Sequence, residues 1–273
     1  MLEKHPYVIG DFVWTGMDYI GESGIGYSIY PKPTDEKTFH MPWPTYISWC
    51  GDIDITGNKK PQSYYRDVVW GQSDLEILVH EPKPAGKKEV ISAWGWPNEL
   101  PHWNWDGNEG KEMEVRVVSS YPNVRLELND KVIGEKAITA TDKLTATFLV
   151  PYEPGTLRAV AVADGKETVT KELVTSGPVN ALKIHAGSDS ILADKSEVVY
   201  LQINAVDAEG RIVPTADHQI DVVVDGEATL IAAGNANPVL EGSFTDNSFH
   251  LFRGSGLVIL RSTGVAGEIS VPP

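Results

Sequence analysis

Short runs of alternating apolar and polar residues dominate this chain from residue 74 onward. Such alternation predicts strands with one buried face, and turn-forming pairs such as Asn129-Asp130 and Asp164-Gly165 separate the runs. The number and spacing of the runs between residues 73 and 176 predict a first immunoglobulin-like β-sandwich. These runs are LEILVHE, EVISAWGW, MEVRVVSS, VRLELND, KLTATFLVP, GTLRAVAVAD and ETVTKELVTS.

A second group of strand-like runs follows the short break at Ser176-Gly177-Pro178. It comprises ALKIHAGS, VVYLQINAVDAEG, HQIDVVVDG, ATLIAAGN, SFHLFRGSGLVILRSTG and GEISVPP. These runs predict a second immunoglobulin-like β-sandwich over residues 177–273, since the length of this range is close to that of such a domain. The fold class expected for most of the chain is mainly β.

Residues 1–72 have a different character, rich in proline, glycine and aromatic residues. The apolar run 12–14 predicts a strand that surfaces among polar residues, and a long loop follows over residues 24–60. Pro61 is expected to open a helix that ends before Gly71. A strand, a loop and a helix make one repeat of a (β/α)₈ barrel, and a whole barrel needs about 250 residues. The segment is therefore interpreted as a βα remnant of such a barrel.

The charge and the cysteine count narrow the range of functions. A formal net charge of −15 disfavours nucleic acid and anionic membranes as partners. No apolar run approaches the roughly 20 residues that span a bilayer, so membrane insertion is not expected. The single cysteine, Cys50, excludes an internal disulfide, and the nearby Trp43 and Trp49 indicate a buried thiol. No two histidines have helical ligand spacing, so neither a metal nor a cofactor is expected.

Carboxylates gather around the 12–14 run, at Asp11, Asp18 and Glu22. A glycosidase needs two carboxylates roughly 5 to 9.5 Å apart. These three come from one strand and its loop, whereas barrel glycosidases usually draw their pair from different strands. The favoured interpretation is that Asp18 and Glu22 hydrogen-bond loop amides or a substrate hydroxyl.

Tryptophans provide the other candidate ligand contacts. Trp14 and Trp43 offer flat faces that could stack on a sugar, although tryptophans also fill cores. Trp103 and Trp105, in PNELPHWNWDGNEG, form either an accessory sugar-binding platform or a packing contact with the preceding segment. Packing is favoured because two further tryptophans lie beside them in the sequence.

Four motifs, taken in order, resemble the C-terminal part of a glycoside hydrolase family 2 enzyme of the Bacteroidetes β-galactosidase type. They are GDFVWTGMDYIGE, KPQSYYRDVVWG, WGWP…HWNWDG…VRLELNDKVIG and GNANP…F…HLFRGSGLVILRSTG. The resemblance covers essentially the whole chain. It implies that residues 1–72 are the eighth strand, loop and helix of the catalytic barrel, and that both sandwiches are appended domains. It also implies that Trp14 lies beneath the sugar in the −1 subsite.

The same resemblance implies a retaining exo-β-glycosidase for terminal β-galactosides or related β-glycosides. The family's two catalytic glutamates would lie outside this chain, which is then expected to be inactive alone and to have no catalytic residue. The expected substrate-binding residues are Trp14, Asp18, Glu22 and Trp43. The expected partners are a carbohydrate and either the missing barrel or another copy of the chain.

Location and two alternative functions complete the expectations. The first residues, MLEKHPYV, lack the apolar stretch of a signal peptide, so a periplasmic or extracellular location rests on the resemblance alone. One alternative function is a non-catalytic β-sandwich module that binds carbohydrate or mediates domain contacts. The other is a pair of spacers that brace the barrel.

Overall fold

The computed structural model describes residues 5–10, 12–31, 41 and 43–271, and most of its regular elements are strands. The mainly β prediction is confirmed. The elements in chain order are β1 (Ser28–Ile29), α1 (Pro61–Val69), β2 (Leu75–His80), β3 (Val90–Ile91), β4 (Glu99–Leu100), β5 (Glu112–Ser119), β6 (Asn123–Leu128), β7 (Lys131–Ala137), β8 (Thr145–Pro151), β9 (Thr156–Ala163), β10 (Lys166–Val174), β11 (Ala181–Ala186), β12 (Val198–Val206), β13 (Gln219–Asp221), β14 (Asp225–Gly226), β15 (Ala228–Gly234), β16 (Ser248–His250), β17 (Ser255–Ser262) and β18 (Ile269–Ser270).

Two four-stranded antiparallel sheets form the first sandwich, in the orders β4-β2-β5-β8 and β10-β9-β6-β7. Alternate residues such as Val115, Val117 and Leu126 are fully buried between the sheets, as the pattern of the sequence predicts. The predicted turns close two hairpins. Asn129 and Asp130 adopt left-handed φ angles of 50° and 63° between β6 and β7, which is the conformation of a type I′ turn.

Strand β7 lies at the edge of its sheet and carries a bulge. Leu126 pairs with Gly134 and Glu127 pairs with Val132, so Ile133 is an extra residue on the edge strand. A bulge of this kind interrupts the ladder and increases the local twist.

The second sandwich has one four-stranded sheet, β11-β12-β17-β15, and two short strand pairs, β13-β16 and β14-β18. Phe249 of β16 packs against β17, where a Cβ on Gly256 would collide with its ring. The run SFHLFRGSGLVILRSTG therefore contains two strands and not one. The turn that separates the two strands contains Arg253 and Gly254, whose φ angles are 53° and 73°.

The N-terminal segment differs from the predicted barrel remnant. Residues 12–14 form no regular strand, and Phe12 is exposed. The backbone hydrogen bonds begin one residue later, where the Thr15 N–H donates to the Cys50 carbonyl at 3.2 Å and the Asp18 N–H to the Ile53 carbonyl at 2.8 Å. A barrel strand needs a partner on both sides, and residues 15–18 run beside residues 50–53 only, so an irregular ladder replaces the expected strand.

Helix α1 joins this segment to the first sandwich. Pro61 opens the helix, and Gly71 follows its end with a left-handed φ of 68°, which confirms both predicted boundaries. Val68 of the helix is buried against Leu78 and Val118 of the first sandwich.

Strands β1 and β3 make a second connection. β3 is the only strand formed within EVISAWGW, and it pairs with β1 of the N-terminal segment instead of joining a sandwich sheet. A bridge between Thr45 and Val239 links the same segment to the second sandwich. The segment is thus packed on both sandwiches. The domain boundaries at residues 72 and 176 stay predictions.

Trp103 and Trp105 lie in the core of the first sandwich, with exposed fractions of 0% and 8%. The Trp103 indole N–H donates to the Glu153 carbonyl at 2.9 Å, and its ring meets Tyr152 edge to face at 5.1 Å. The expectation of a sugar-binding platform is corrected by this burial, since neither ring has a face open to a ligand. The favoured expectation of a packing contact with the preceding segment is also wrong, because both rings pack inside the first sandwich.

We expect Trp103→Ala to lower the free energy of unfolding by about 3–5 kcal/mol, because it removes a fully buried indole and leaves a cavity. Urea denaturation followed by circular dichroism measures the change. Trp70→Ala, at the exposed end of α1, is the matched control and should cost less than about 1 kcal/mol. Equal losses in the two variants would contradict the core assignment of Trp103.

Candidate functional site

An aromatic and carboxylate cluster lies on the surface of the N-terminal segment. The Trp14 ring is 57% exposed and meets the Tyr19 ring edge to face at 6.4 Å. The Tyr19 hydroxyl donates to the Glu22 carboxylate, and this hydrogen bond raises the pKa of the phenol. Trp14, Tyr19 and Glu22 are called the Trp14 face below. The face combines an open indole with a carboxylate acceptor, which suits a pyranose ring and one of its hydroxyls.

Asp18 lies apart from this face, in a buried ion pair. The Lys60 ammonium donates to both carboxylate oxygens of Asp18, at 2.9 and 3.0 Å, and the Gly51 N–H donates to one of them at 2.7 Å. Both side chains are nearly inaccessible. Burial raises the pKa of Asp18 to about 6 and lowers the pKa of Lys60 to about 8. The charge of each partner opposes the shift that burial causes in the other.

The surroundings of the pair leave little room for a ligand. The Lys60 ammonium also donates to the Trp49 carbonyl at 2.7 Å and lies 3.9 Å from the centre of the Trp49 ring. A Cβ on Gly51 would collide with the backbone nitrogen of Asp18, so the two chains cross in direct backbone contact. Asp18 thus fixes the loop that carries Trp14, which matches the favoured expectation that it hydrogen-bonds loop amides.

The other residues considered in the sequence analysis, Trp43 and Asp11, are not part of the Trp14 face. Trp43 is 89% exposed, whereas Asp11 lies outside the described residues. Lys60, the partner of Asp18, escaped the sequence reasoning because it lies 42 positions away and no local pattern connects the two. The structure brings Trp14 and Glu22 together through Tyr19, whereas Asp18 is buried apart from them with Lys60.

A second polar cluster joins strand β1 to the first sandwich. Glu89 accepts hydrogen bonds from the Ser28 hydroxyl and from the Asn98 N–H at 2.9 Å, and its other oxygen lies 2.9 Å from His80 Nε2. Burial opposes ionisation of Glu89, but these hydrogen bonds outweigh it and lower its pKa to about 2. The carboxylate stands between the serine and the histidine, so His80 does not contact the Ser28 hydroxyl as a general base would.

The thiol of Cys50 and possible metal-ligand clusters were the other candidates in the sequence. Cys50 is buried as expected, and burial raises the pKa of its thiol. Across residues 5–10, 12–31, 41 and 43–271, no three His, Cys, Asp or Glu side chains converge as metal ligands would. None of the helices in that part of the chain is long and apolar enough to cross a membrane.

Comparison with known protein families matches two stretches of the chain. Residues 182–272 match the glycoside hydrolase family 2 C-terminal domain 5, and residues 110–169 match a domain of unknown function, DUF4982. A solved glycosyl hydrolase family 2 member from Bacteroides cellulosilyticus aligns over 99% of this chain with 36% identity and a TM-score of 0.88. The chain is thus similar to the C-terminal part of glycoside hydrolase family 2 enzymes.

Further relatives agree with this similarity. A β-galactosidase of Bacteroides ovatus is 26% identical over 98% of this chain, and a putative β-glucuronidase of Formosa agariphila is 25% identical over 99%. The chain spans 27% and 23% of these two relatives, and 35% of the solved Bacteroides cellulosilyticus protein. The family resemblance inferred from the four sequence motifs is confirmed.

We expect Asp18→Asn and Lys60→Met each to lower the free energy of unfolding by about 3–5 kcal/mol, because each leaves one buried charge without its partner. The double variant should cost less than the sum of the two by about 1–3 kcal/mol. Urea denaturation of all four proteins at pH 7 gives this coupling. Lys59→Met, which breaks the more exposed pair with Asp67, is the control and should cost less than about 1 kcal/mol. Strict additivity of the two buried changes would disprove the coupling.

Glu89→Gln should lower the free energy of unfolding by about 2–3 kcal/mol at pH 7. The folded-state pKa of Glu89 is depressed, so its contribution is complete above pH 4.5 and is lost as the pH falls toward 2. The difference between wild type and variant should therefore shrink over that interval, as measured by urea denaturation at a series of pH values. Glu112→Gln, at the exposed start of β5, should show no such convergence. A difference in unfolding free energy between wild type and Glu89→Gln that stays constant down to pH 2 would contradict the depressed pKa of Glu89.

Proposed function

We propose that this chain is the C-terminal part of a retaining exo-β-glycosidase that hydrolyses terminal β-galactosides or related β-glycosides. The observation that carries the proposal is the similarity over 98–99% of the chain to proteins named as family 2 glycosidases. The exposed indole of Trp14, beside the carboxylate of Glu22, supplies a surface of the kind that such an enzyme needs. A periplasmic or extracellular location is part of the proposal.

In this proposal the Trp14 face forms one wall of the sugar site. Trp14 stacks on the sugar and Glu22 accepts a hydroxyl, while Asp18 acts as a positioning residue through its ion pair with Lys60. Trp43, exposed on the following loop, contacts the far side of the substrate. The two glutamates that form and hydrolyse a covalent glycosyl-enzyme come from the upstream barrel.

The proposal predicts that the 273-residue chain alone does not hydrolyse aryl β-glycosides, whereas the same chain extended upstream to include a whole barrel does. Release of nitrophenol from a panel of nitrophenyl β-glycosides, including the galactoside and the glucuronide, measures both activities. Asp18 is ion-paired and Glu22 is engaged by a tyrosine, so neither is expected to act as a nucleophile here. Hydrolysis by the short chain would overturn the proposal.

In the extended enzyme, Trp14→Ala should lower kcat/KM by about tenfold, which corresponds to the loss of one aromatic stacking contact. Trp14→Phe should restore part of the activity because it keeps an aromatic face. Trp70→Ala, at another exposed tryptophan, should leave kcat/KM unchanged. Full activity of Trp14→Ala would remove Trp14 from the sugar site.

A domain-contact role is the second candidate, and specific contacts favour it. The Trp49 ring meets the Phe252 ring edge to face at 6.3 Å, and the Arg253 guanidinium lies 3.3 Å from the Glu81 carboxylate. These contacts tie the N-terminal segment and the first sandwich to the second sandwich. In this role the two sandwiches brace the barrel and bind no sugar themselves.

A further inference from the structure

A cleft of about 540 Å³ opens where the N-terminal segment and the two sandwiches meet. Its volume lies within the roughly 300–1,000 Å³ that is typical of small-molecule sites. Each of the three parts of the chain contributes to the lining. The lining side chains that matter here are Trp49 and Tyr64 from the N-terminal segment, His102 from the first sandwich, and Phe252 and Arg253 from the second.

Arg253 is held at the wall of this cleft by a rigid turn. Its own φ of 53° is left-handed, and Gly254 beside it packs so tightly that a Cβ would collide with the Val213 carbonyl. The guanidinium lies 5.7 Å from the Trp49 ring and 5.1 Å from the Phe252 ring. Its side chain is 30% exposed and contributes to the lining of the cleft.

Most of the hydrogen-bonding capacity of Arg253 is unused within the described residues. A guanidinium has five N–H donors. Within the described residues, Arg253 donates one hydrogen bond, to the Glu81 carboxylate at 3.3 Å. Desolvation lowers the pKa of Arg253, although an arginine stays charged. The other cations of the cleft have closer partners: Lys60 with Asp18 at 2.9 Å, Lys59 with Asp67 at 2.7 Å and Arg211 with Asp207 at 3.0 Å.

His102 supplies a neutral donor close to Arg253. The Asn104 N–H donates to His102 Nδ1 at 3.2 Å, which places the imidazole proton on Nε2. Burial, with the nearby Arg253 charge, lowers the pKa of His102 to about 3, so the ring is neutral throughout the physiological range. Among the described residues no group accepts a hydrogen bond from Nε2.

Both acidic side chains of the lining have polar partners within the protein, and the charge of Asp54 also acts on Arg253. One Asp54 oxygen accepts hydrogen bonds from Thr56 and Asn58 within its own turn, and Glu172 lies 3.5 Å from Arg158. The cleft therefore presents an arginine and an imidazole N–H, both with spare donors, on a chain whose net charge is −15. Such a donor pair suits a planar oxyanion.

We propose that this cleft binds an acidic oligosaccharide, with the carboxylate of a uronic acid residue held by Arg253 and His102. The rings of Tyr64 and Phe252 offer apolar surface to the sugar, and the polar groups around them meet its hydroxyls. A pyranose has this combination of apolar faces and polar edges. The site is separate from the Trp14 face, and the proposal does not depend on glycosidase activity.

Isothermal titration calorimetry of the 273-residue chain tests the proposal with a matched pair of disaccharides. Cellobiouronic acid and cellobiose differ only in a carboxylate that replaces a hydroxymethyl group. We expect the acid to bind at least tenfold more tightly than the neutral sugar. Equal affinity for the two, or no heat of binding from either at millimolar concentration, would overturn the proposal. Inorganic sulfate that binds as tightly as the acid would overturn the sugar part of it.

Two variants assign the binding to the cleft. Arg253→Lys keeps the charge but loses the planar set of donors, and it should weaken binding of cellobiouronic acid at least tenfold. Arg261→Lys, on the exposed face of β17, is the matched control and should leave the affinity unchanged. Equal affinities of Arg253→Lys and Arg261→Lys for cellobiouronic acid would show that the acid binds outside the cleft.

The second cleft variant is independent of the contact between Arg253 and Glu81. His102→Phe removes the imidazole donor, together with the acceptor of the Asn104 N–H, and should also weaken binding of the acid, while cellobiose binding stays the same. Thermal unfolding of each variant shows whether its fold is retained. Should Arg253→Lys fail to fold, the comparison of the two sugars on wild type together with His102→Phe still decides the outcome.

Discussion

The ion pair between Asp18 and Lys60 is the interaction on which the N-terminal segment of this structure depends. Two charges are removed from water almost completely, which is unfavourable unless the remaining donors and acceptors are also satisfied. Here the Gly51 N–H and the Trp49 carbonyl complete the pair. These groups come from two stretches of irregular backbone that cross, so the ion pair fixes how the two stretches are arranged. Elsewhere in the fold, the hydrogen bonds of regular sheets fix the arrangement of the strands.

Trp49 extends the influence of this pair to the rest of the molecule. Lys60 lies against its ring at 3.9 Å, and Arg253 of the second sandwich approaches the same ring at 5.7 Å. One indole thus contacts a cation that belongs to its own segment and another from a different part of the chain. Trp96 also makes a contact between parts of the chain, since its ring lies 5.4 Å from that of Tyr65 in α1. Aliphatic residues fill much of both sandwich cores.

The sandwiches were predictable because local rules govern them. Alternation marks the buried face of a strand, Asn129-Asp130 closes a hairpin, and Pro61 opens a helix, each through effects that act within a few residues. The N-terminal segment was not predictable in this way. Asp18 looked like a ligand residue because its neighbours are polar and glycine-rich, and only its distant partner Lys60 shows that it is part of the framework.

The residues of the candidate site also fall into a group that local sequence predicts and a group that it does not. Trp14 and Glu22 lie close together in sequence, and their grouping through Tyr19 follows from that proximity. Trp103 and Trp105 sit in a polar stretch that allowed either an exposed platform or a contact with the preceding segment, whereas both rings are buried in the core of the first sandwich. The cleft near Arg253 combines residues from three distant parts of the chain, so no sequence window contains it.

The bulged edge strand β7 bears on how such a β-rich chain behaves at high concentration. An open strand edge can recruit a strand from another molecule and start aggregation. Here Ile133 disrupts the ladder, Lys131, Glu135 and Lys136 place charge along it, and the Lys136 ammonium donates to the Thr147 carbonyl of the opposite sheet at 2.6 Å. That edge is a poor template for intermolecular strand addition, so molecules packed closely together are kept from joining their sheets along it.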